Sequence, residues 1–207
     1  MISIVNYGIG NVGSVANMLS HIGAEAQLAS SIEDINNAKA LLLPGVGAFG
    51  VAMETLHRLE FVEPIRRKVL EEKVPILGIC LGMQLLAKGS EEGNDDVAGF
   101  GFIDARFVKF SFPEENRLKV PHMGWNEIEV KRANPLVEQT SPPQRFYFVH
   151  SYYAQCSDEN DVVATARYGH EFVCAYGRNN VYGTQFHPEK SHKFGMSLLR
   201  NFVAYAC

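Results

Sequence analysis

The sequence predicts an α/β protein with three layers, in which helices cover both faces of a mostly parallel central sheet and the second half adds antiparallel strands. Three observations support this prediction. Strand-like and helix-like runs alternate through the first half, the run over residues 75–79 is apolar throughout, and the second half is mostly strand-like between turn signals.

In the first half, short apolar runs predict strands and amphipathic runs predict helices. A helix over residues 10–23 would place Val12, Val15, Ala16, Leu19 and Ile22 on one face, and Ser31 with Asp34 forms a capping signal for a second helix. The predicted strands are 2–6, 24–30, 39–45 and 75–79, and the further predicted helices are 51–59, 62–72 and 82–89.

In the second half, extended apolar runs alternate with turn-rich segments, and the chain closes on an amphipathic helix over residues 191–206. No repeat or linker divides the 207 residues, so residues 1–207 are expected to form a single domain. The predicted strands are 100–110, 125–132, 145–155, 162–168, 171–177 and 181–187.

Composition narrows the class of protein. The net charge of −4 argues against a general nucleic-acid binder. A signal peptide needs basic residues before its apolar run, and here none precedes the first apolar run, so no signal peptide is expected. The longest apolar stretch, residues 40–53, is too short and too interrupted by proline and glycine to span a bilayer. Because Cys80, Cys156, Cys174 and Cys207 form no C-x-x-C pair, they are expected to be reduced thiols in a cytoplasmic protein.

A glycine loop follows the first strand. Gly8, Gly10 and Gly13 have the G-x-G-x-x-G spacing of a dinucleotide-binding loop. Such a site needs an acidic residue at the end of the second strand, where this chain has residues 29–31, Ala-Ser-Ser. The motif therefore fails at its most discriminating position, and no cofactor is expected.

The strongest nucleophile candidate is Cys80, in the sequence Gly78-Ile79-Cys80-Leu81-Gly82. This is the cysteine counterpart of the nucleophile elbow G-x-S-x-G, and it lies between an apolar strand and a predicted helix. Small neighbours let the helix pack close to the strand, and the helix N-terminus favours a thiolate. The alternative is a buried structural cysteine in a tight turn. The other three cysteines lack this context and are expected to be structural.

A thiolate nucleophile needs a base, and His187 is the best candidate. Pro188 biases His187 away from helix, and in an extended chain Glu189 lies on the same side as His187, where it can orient the ring. The H-x-E pattern also occurs in zinc sites, but no further ligand with suitable spacing accompanies it, so no metal is expected. Surface or packing roles are expected for three other histidines: His21, His57 and His170.

At Cys80, His187 and Glu189 the chain resembles the class I glutamine amidotransferases, whose glutaminase triad is Cys-His-Glu in this order. It is similar, more narrowly, to the HisH-type glutaminase subunits of imidazole glycerol phosphate synthase. The matching segments are YGIGN (7–11), LPGVGAFG (43–50), GICLGMQLL (78–86), PHMGWNE (121–127), YFVHSYY (147–153) and TQFHPEKS (184–191).

The resemblance implies that Cys80 attacks the side-chain amide of glutamine, that His187 transfers protons and that Glu189 orients His187. It also implies an oxyanion hole formed by Val46, Gly47 and the backbone N–H of Leu81. The residues implied in glutamine binding are Gly45, Gln84, Glu92, Ser151 and Tyr152. Two plainer alternatives stay open, namely that Gln84 caps or solvates a helix and that Glu91 and Glu92 are a solvated charge run.

The resemblance further implies a heterodimer with a HisF-type TIM-barrel cyclase, which receives the ammonia through a tunnel. The implied interface residues are Asn11, Trp125, Tyr147 and Lys190, and the glycine loop becomes a packing turn near that interface, with Gly8 and Gly10 allowing close approach. Trp125, in the turn-rich PHMGWN, anchors either the interface or the core. His122 and His150 help to shape this face and receive no chemical role.

Three rival functions remain. The first is a glutaminase for another pathway, such as anthranilate, aminodeoxychorismate or guanylate synthesis. The second is a non-catalytic relative that only binds a partner, which the intact triad disfavours. The third is a cysteine peptidase of similar fold, which Gln84 together with LPGVG disfavours.

Overall fold

A computed structural model describes residues 1–93, 97–113 and 118–206 of the chain. Its first half contains the predicted alternation of strands and helices, including the capping box of Ser31 and Asp34. The strands are β1 (Ile2–Val5), β2 (Ala26–Ala29), β3 (Ala40–Gly45) and β4 (Ile76–Cys80). The helices are α1 (Val12–His21), α2 (Ile32–Asn36), α3 (Phe49–Arg58), α4 (Val62–Leu70) and α5 (Leu81–Leu86).

The second half is built mainly from strands, as predicted, and ends in a long helix. Two short 3-10 turns interrupt it, at Glu159–Asp161 and Pro188–Lys190. The strands are β5 (Ala87–Ser90), β6 (Ile103–Lys109), β7 (His122–Glu127), β8 (Glu129–Val130), β9 (Arg145–His150), β10 (Tyr152–Cys156), β11 (Val162–Tyr168), β12 (His170–Arg178) and β13 (Val181–Thr184), and the helix is α6 (His192–Ala206).

The central sheet draws strands from both halves, in the order β2-β1-β3-β4-β13-β12-β10-β6-β5, with β11 beside β12 and β8 beside β11. The neighbours from β2 to β13 pair in parallel, and the pairs β13–β12, β12–β10 and β10–β6 are antiparallel. The strands β7 and β9 form a separate antiparallel sheet. The predicted combination of a mostly parallel sheet with added antiparallel strands is therefore confirmed.

The register of the central strands brings distant segments together. Gly45 pairs with Cys80, and Thr184 pairs with Ile79, so β3, β4 and β13 end side by side. Because the carboxyl ends of parallel strands meet at one edge of the sheet, the segments that follow these three strands share that edge. His187 lies three residues beyond Thr184 and reaches the same place as Cys80.

Two apolar cores lie on opposite faces of the sheet. On β3, Leu41 and Leu43 enter one core and Leu42 enters the other, because successive side chains of a strand alternate. Helices α3, α4 and α5 contribute to the first core, and α1 and α6 contribute to the second. Each fully buried leucine stabilises the fold by about 1.5–3 kcal/mol, so this layering fixes the strands against the helices.

The helix after Cys80 is shorter than predicted. It ends at Leu86, and the chain continues extended as β5 instead of remaining helical to Gly89. The amides of Phe100 and Phe102 donate to the carbonyls of Leu85 and Leu86, which takes the acceptors that a longer helix would use. No helix among the described residues is long and apolar enough to cross a membrane.

Candidate active site

Cys80 occupies a strained turn between β4 and α5. Its φ of +54° and ψ of −110° lie in a region that residues other than glycine seldom adopt, which costs about 1–3 kcal/mol. The flanking glycines are needed for close packing. A Cβ on Gly82 would lie 1.7 Å from the carbonyl O of Leu43, and one on Gly78 would lie 2.6 Å from the carbonyl C of Gly82. The strand-turn-helix context expected of a nucleophile elbow is therefore present.

His187 and Glu189 form a buried pair. His187 Nδ1 is 2.7 Å from Glu189 Oε1, and both side chains are 2% exposed. The contact is made differently from the predicted extended segment, because Pro188–Lys190 forms a 3-10 turn. Glu189 still reaches the ring since the turn begins directly after His187, whose own backbone is extended.

The surroundings of His187 favour its charged form. Burial lowers its pKa, but the side chains of Cys80 and Glu189 outweigh burial and raise the pKa of His187 from 6.5 to about 9. His187 Nε2 has no well-aligned hydrogen bond within the part of the chain that the structure describes. Cys80 therefore affects the pKa of His187 because it lies close to the ring, without a well-aligned hydrogen bond. Such contacts commonly tighten when substrate binds.

The sulfur of Cys80 has two weak polar neighbours. Gln185 Nε2 lies 3.8 Å from Sγ, and the carbonyl O of Val149 lies 4.0 Å from it. Gln185 is fully buried, and its Oε1 has no partner among the described residues. Gln185 directly follows β13, whose pairing with β4 brings it to this sulfur, and its sequence signal is its position two residues before His187.

One cleft of about 310 Å³ brings most of the predicted site residues together. Cys80 and His187 face it, and so do both predicted backbone segments of the oxyanion hole. Three lining residues, Pro121, Val149 and His150, had no predicted chemical role. The predicted residues that line it are Val46, Gly47, Cys80, Leu81, Gln84, Glu92, Ser151, Tyr152, His187 and Lys190. Glu189 lies behind His187, outside this lining.

The predicted oxyanion segment connects β3 to α3. Val46 is 44% exposed, and Gly47 has φ +98°, a conformation that favours glycine. Gly45 is buried and is not among the residues that line the cleft, and a Cβ at this position would meet Tyr7 Oη at 2.7 Å and Leu81 Cβ at 3.0 Å. Its glycine is therefore explained by packing, and its predicted contact with glutamine stays a prediction.

The first glycine loop packs beneath this segment. Gly10, at φ +146°, lies so close to β3 that a Cβ would come 3.2 Å from the carbonyl O of Pro44, whereas a Cβ on Gly8 would meet nothing within 4 Å. Asn11 is the N-cap of α1, and its Oδ1 accepts a hydrogen bond of 3.4 Å from the Ser14 amide. The predicted close approach therefore involves Gly10, and Asn11 has a local structural role.

Two of the predicted substrate residues carry polar groups at the cleft. Gln84 is buried on α5, and its Oε1 has no partner within the described ranges. Glu92 is not a freely solvated charge, because its Oε2 accepts a hydrogen bond of 2.9 Å from the amide of Phe49. Since Ala48, the N-cap of α3, supplies no side-chain bond, Glu92 caps that helix from a distant part of the chain.

Ser151 and Tyr152 form the corner between β9 and β10. The carbonyl of Ser151 accepts a 2.9 Å bond from the Phe110 amide, and that of Tyr152 accepts a 2.7 Å bond from His150 Nδ1. Burial, followed by the charges of nearby acidic side chains, raises the pKa of the Tyr152 phenol. This corner is therefore fixed on both sides.

Trp125 lies on strand β7, which begins at His122, before the predicted strand 125–132, because the turn-rich residues 122–124 also pair with β9. It is 41% exposed and stacks flat on the ring of His192, with centroids 5.5 Å apart. Tyr147 meets its edge at 6.2 Å, and Lys190 Nζ lies 5.9 Å from the Tyr147 ring centroid. With Met123, which is 62% exposed on the same strand, these side chains form a partly apolar surface of the kind used for docking.

The remaining cysteines are separate from this cleft. Cys156 and Cys174 are free thiols within strands, and burial raises the pKa of Cys156 to about 12. Cys207 lies outside the described residues. Within residues 1–93, 97–113 and 118–206, no group of three His, Cys, Asp or Glu side chains is placed to hold a metal ion.

Comparisons with known proteins identify the family. The family described as "Glutamine amidotransferase class-I" matches residues 3–206. "Imidazole glycerol phosphate synthase subunit HisH 2" of Methanococcus maripaludis is 48% identical over 206 residues, covering 100% of both chains. The protein of the same name from Pseudomonas aeruginosa is 46% identical over 203 residues, covering 98% of both. A solved glutamine amidotransferase has a TM-score of 0.78 at 21% identity, covering 100% of this chain and 99% of that one.

Proposed function

The chain belongs to the class I glutamine amidotransferases, within the HisH subunits of imidazole glycerol phosphate synthase, and we propose that Cys80, His187 and Glu189 carry its glutaminase reaction. Such a subunit hydrolyses L-glutamine to glutamate and ammonia for histidine biosynthesis. The observation that carries the proposal is the strained turn at Cys80, which shares one cleft with His187, itself paired with Glu189.

The first step transfers a proton and forms a carbon–sulfur bond. His187 Nε2 holds the proton taken from Cys80, and its raised pKa of about 9 keeps the ring charged near neutral pH. The thiolate then attacks the side-chain carbonyl carbon of glutamine. Glu189 stabilises the imidazolium through Nδ1 and holds Nε2 toward the cleft.

The second step releases ammonia. The tetrahedral intermediate carries its negative charge on the former carbonyl oxygen, for which the Leu81 amide and the peptide at Val46 and Gly47 are the proposed donors. Loss of one such donor typically costs about 100- to 1000-fold in rate. The His187 imidazolium gives its proton to the departing nitrogen, the carbon–nitrogen bond breaks, and a glutamyl thioester remains on Cys80.

Hydrolysis regenerates the enzyme. His187, now neutral, takes a proton from water as the water oxygen attacks the thioester carbon. The second intermediate collapses with cleavage of the carbon–sulfur bond, so that glutamate leaves and Cys80 returns with His187 to its initial state. Ammonia leaves in the first half of the reaction and glutamate in the second.

The cleft also has groups suited to the amino-acid end of glutamine. The Glu92 carboxylate matches the substrate's ammonium group, and Gln84, whose Oε1 has no partner among the described residues, offers a hydrogen bond. Ser151 and Tyr152 also line the cleft, and their backbone is the proposed contact with glutamine. Gly45 is included in this set on the family resemblance alone.

The proposed partner is a HisF-type cyclase with a TIM-barrel fold, in a cytoplasmic heterodimer. Ammonia released into water would protonate and diffuse away, so direct transfer to the cyclase conserves it. There it would enter the reaction that forms imidazole glycerol phosphate and an aminoimidazole-carboxamide ribonucleotide. The docking face would contain Trp125, Tyr147 and Lys190, with Asn11 near its border.

We further propose that the partner controls the oxyanion segment. Val46 is exposed and adjoins Gly47, so a rotation of the peptide between them meets little steric resistance. The isolated chain is then expected to be nearly inactive, and the complex with cyclase and nucleotide to be fully active. A purified chain that hydrolysed glutamine alone at the rate of the complex would disprove this control.

The decisive experiment compares Cys80→Ala with the matched control Cys156→Ala, each in complex with the cyclase. Cys80→Ala should abolish glutaminase activity but leave ammonia-dependent cyclase activity intact. Cys156→Ala should retain both activities, because Cys156 lies away from the cleft. Loss of both activities in Cys80→Ala would indicate a structural role for Cys80.

Two measurements test the first two rival functions. A pull-down that recovers a chorismate-using synthase instead of a TIM-barrel cyclase would support a glutaminase of another pathway. Failure of a glutamine-directed diazo-ketone to label Cys80 in the complex would support a non-catalytic binding protein. Labelling of Cys80, together with recovery of the cyclase, is the outcome expected here.

A further inference from the structure

A chain of three polar side chains, Asn126, His122 and His150, joins strand β7 to the wall of the glutamine cleft. His122 Nδ1 lies 3.0 Å from His150 Nε2, and His150 Nδ1 lies 2.7 Å from the carbonyl O of Tyr152. Asn126 Nδ2 lies 3.3 Å from His122 Nε2. The two histidines are only 4% and 5% exposed, and the glutaminase reaction uses neither of them.

The hydrogen-bond direction can be assigned from the cleft end. A carbonyl oxygen only accepts, so His150 Nδ1 carries a hydrogen and donates to Tyr152. In a neutral ring His150 Nε2 is then a bare acceptor. The hydrogen between the rings must therefore be on His122 Nδ1, which leaves His122 Nε2 bare.

The other end gives the same assignment independently. The Glu127 amide donates to Asn126 Oδ1 at 2.9 Å, and Asn126 Nδ2 donates to the carbonyl of Arg167 at 2.9 Å, which fixes the orientation of the Asn126 amide. The second hydrogen on Nδ2 then points to His122 Nε2, which must be bare. Both ends therefore require the same tautomers, and every hydrogen bond in the chain has a donor and an acceptor.

The environment of the pair favours neutral rings. Burial lowers the pKa of His122 to about 4, and burial outweighs the hydrogen bond to the Tyr152 carbonyl and lowers the pKa of His150 to about 3. The titratable group stacked on His122 is Tyr168 of β11, at 4.2 Å between centroids. The other rings against the pair belong to apolar residues: Phe110, Phe148 and Phe172.

The pair lies where the chain passes between two sheets. His122 and His150 are directly opposite each other in the β7–β9 sheet, whereas Tyr152 begins β10 in the central sheet. The chain crosses at Ser151, which lines the cleft. Through His150 the outer sheet, which carries the exposed Trp125, is hydrogen bonded to the first residue of the inner one.

We infer that His122 and His150 are positioning residues. Their hydrogen-bond chain, in which each group donates toward Tyr152, fixes the Ser151–Tyr152 wall of the glutamine site relative to the β7–β9 sheet. This inference rests on the proposed function, because it takes the cleft as the glutamine site. Since the chain acts on the wall and not on the reacting atoms, its loss should weaken glutamine binding more than it slows the chemical steps.

The first test is the nitrogen-15 NMR spectrum of histidine-labelled wild-type protein near neutral pH. Both His122 and His150 should show protonated Nδ1 and bare Nε2. An Nε2-protonated tautomer for either buried ring, or a charged one, would overturn the assignment. This readout needs neither enzyme activity nor a variant that folds.

The second test measures glutamine hydrolysis in the complex with the cyclase. His150→Phe should raise KM for glutamine about tenfold, as expected for loss of one buried hydrogen bond worth about 1.4 kcal/mol, with kcat changed less than about threefold. His150→Asn, whose amide can replace the Nδ1 donor, should restore KM to within about threefold. The matched control is His170→Phe, because His170 contacts the same Phe110 ring, yet its Nε2 has no partner among the described residues.

The outcomes separate the two levels of proposal. Wild-type complex without glutaminase activity would refute the proposed function. An active wild type in which His150→Phe leaves KM unchanged, lowers kcat alone, or is not rescued by His150→Asn would refute the positioning role. An equal rise of KM in His170→Phe would show that ring packing, and not the hydrogen-bond chain, maintains the site.

Discussion

The substitution Glu189→Gln tests the charge of the proposed triad while preserving its shape. Glu189 Oε1 accepts a 2.7 Å hydrogen bond from His187 Nδ1, and both side chains are 2% exposed. An amide oxygen can accept the same bond, so the ring keeps its tautomer and orientation. The variant therefore removes the negative charge that stabilises the imidazolium and little else.

The size of the effect follows from the pKa of His187. Burial alone lowers it, yet Cys80 and Glu189 together raise it from 6.5 to about 9, which corresponds to about 3 kcal/mol in favour of the charged ring. Glu189 is one of two groups that supply this stabilisation, so its charge accounts for on the order of half. We therefore expect kcat for glutamine hydrolysis to fall about 10- to 30-fold, and the pKa of His187 to fall.

The same shift predicts how stability depends on pH. Because the pKa is raised in the folded protein, the charged ring stabilises the fold fully below about pH 6.5, and this contribution is lost as pH rises through about 9. Urea unfolding should therefore show the largest destabilisation of Glu189→Gln near pH 6 and a smaller one near pH 10. The matched control, Glu54→Gln on the exposed face of α3, should show neither effect.

The result that would refute this reasoning is equally specific. It is a Glu189→Gln complex with wild-type kcat, or one whose loss of stability is constant between about pH 6 and pH 10. Either would mean that the carboxylate does not stabilise a charged His187. The kcat measurement belongs in the complex, and the unfolding measurement uses the isolated chain.

The remaining predictions concern packing and docking. Gly82→Ala should destabilise the chain by about 3 kcal/mol or more in urea unfolding, because its Cβ would lie 1.7 Å from the carbonyl O of Leu43. In the control Gly13→Ala the new Cβ would meet nothing within 4 Å, so this variant should be neutral or stabilising by up to about 1 kcal/mol. Equal effects of the two would contradict the packing argument. Trp125→Ala should weaken cyclase binding about 30-fold in calorimetry without lowering Tm, while Tyr205→Ala, an aromatic that is also 41% exposed, should leave binding unchanged. A weaker complex with Tyr205→Ala, or an unchanged one with Trp125→Ala, would remove Trp125 from the proposed interface.

Local sequence patterns predicted the elements because burial and periodicity are local properties. The apolar runs before Gly45 and Cys80 predicted β3 and β4, and the capping signal of Ser31 predicted the start of α2. The glycines around Cys80 predicted a tight strand-to-helix turn, since only small residues fit between α5 and β3. Because these glycines flank Cys80 directly in the sequence, the pattern alone was enough to locate the turn.

Features that depend on distant segments were not predicted. The helix after Cys80 stops at Leu86 because residues 99–102 take its carbonyls, and nothing within the helical sequence indicates this. The segment before Trp125 was interpreted as turn-rich and the strand was predicted to begin at 125, but pairing with β9 extends the strand back to His122. A local pattern does not identify the strand that will pair with it.

The polar neighbours of the site show the same limit. Gln185 approaches the sulfur of Cys80 only because β13 pairs with β4, although 105 positions separate the two residues in the chain. Glu92 caps α3 across 43 positions. Sequence gives the chemical type of such residues, while their partners depend on the tertiary fold.

The position of β13 has a consequence for how the protein folds. This strand comes near the end of the chain, yet it lies between β4 and β12 and pairs with both. A nascent chain that has not emerged past residue 184 therefore exposes two unpaired strand edges in the middle of its sheet, the kind of edge that recruits other strands. Because a long stretch of chain separates β4 from β13, the pairing of these two strands is a late and slow event. The protein thus acquires its proposed base, His187, and completes its sheet in the same step, so a partly synthesised chain would have the proposed nucleophile without the histidine that activates it.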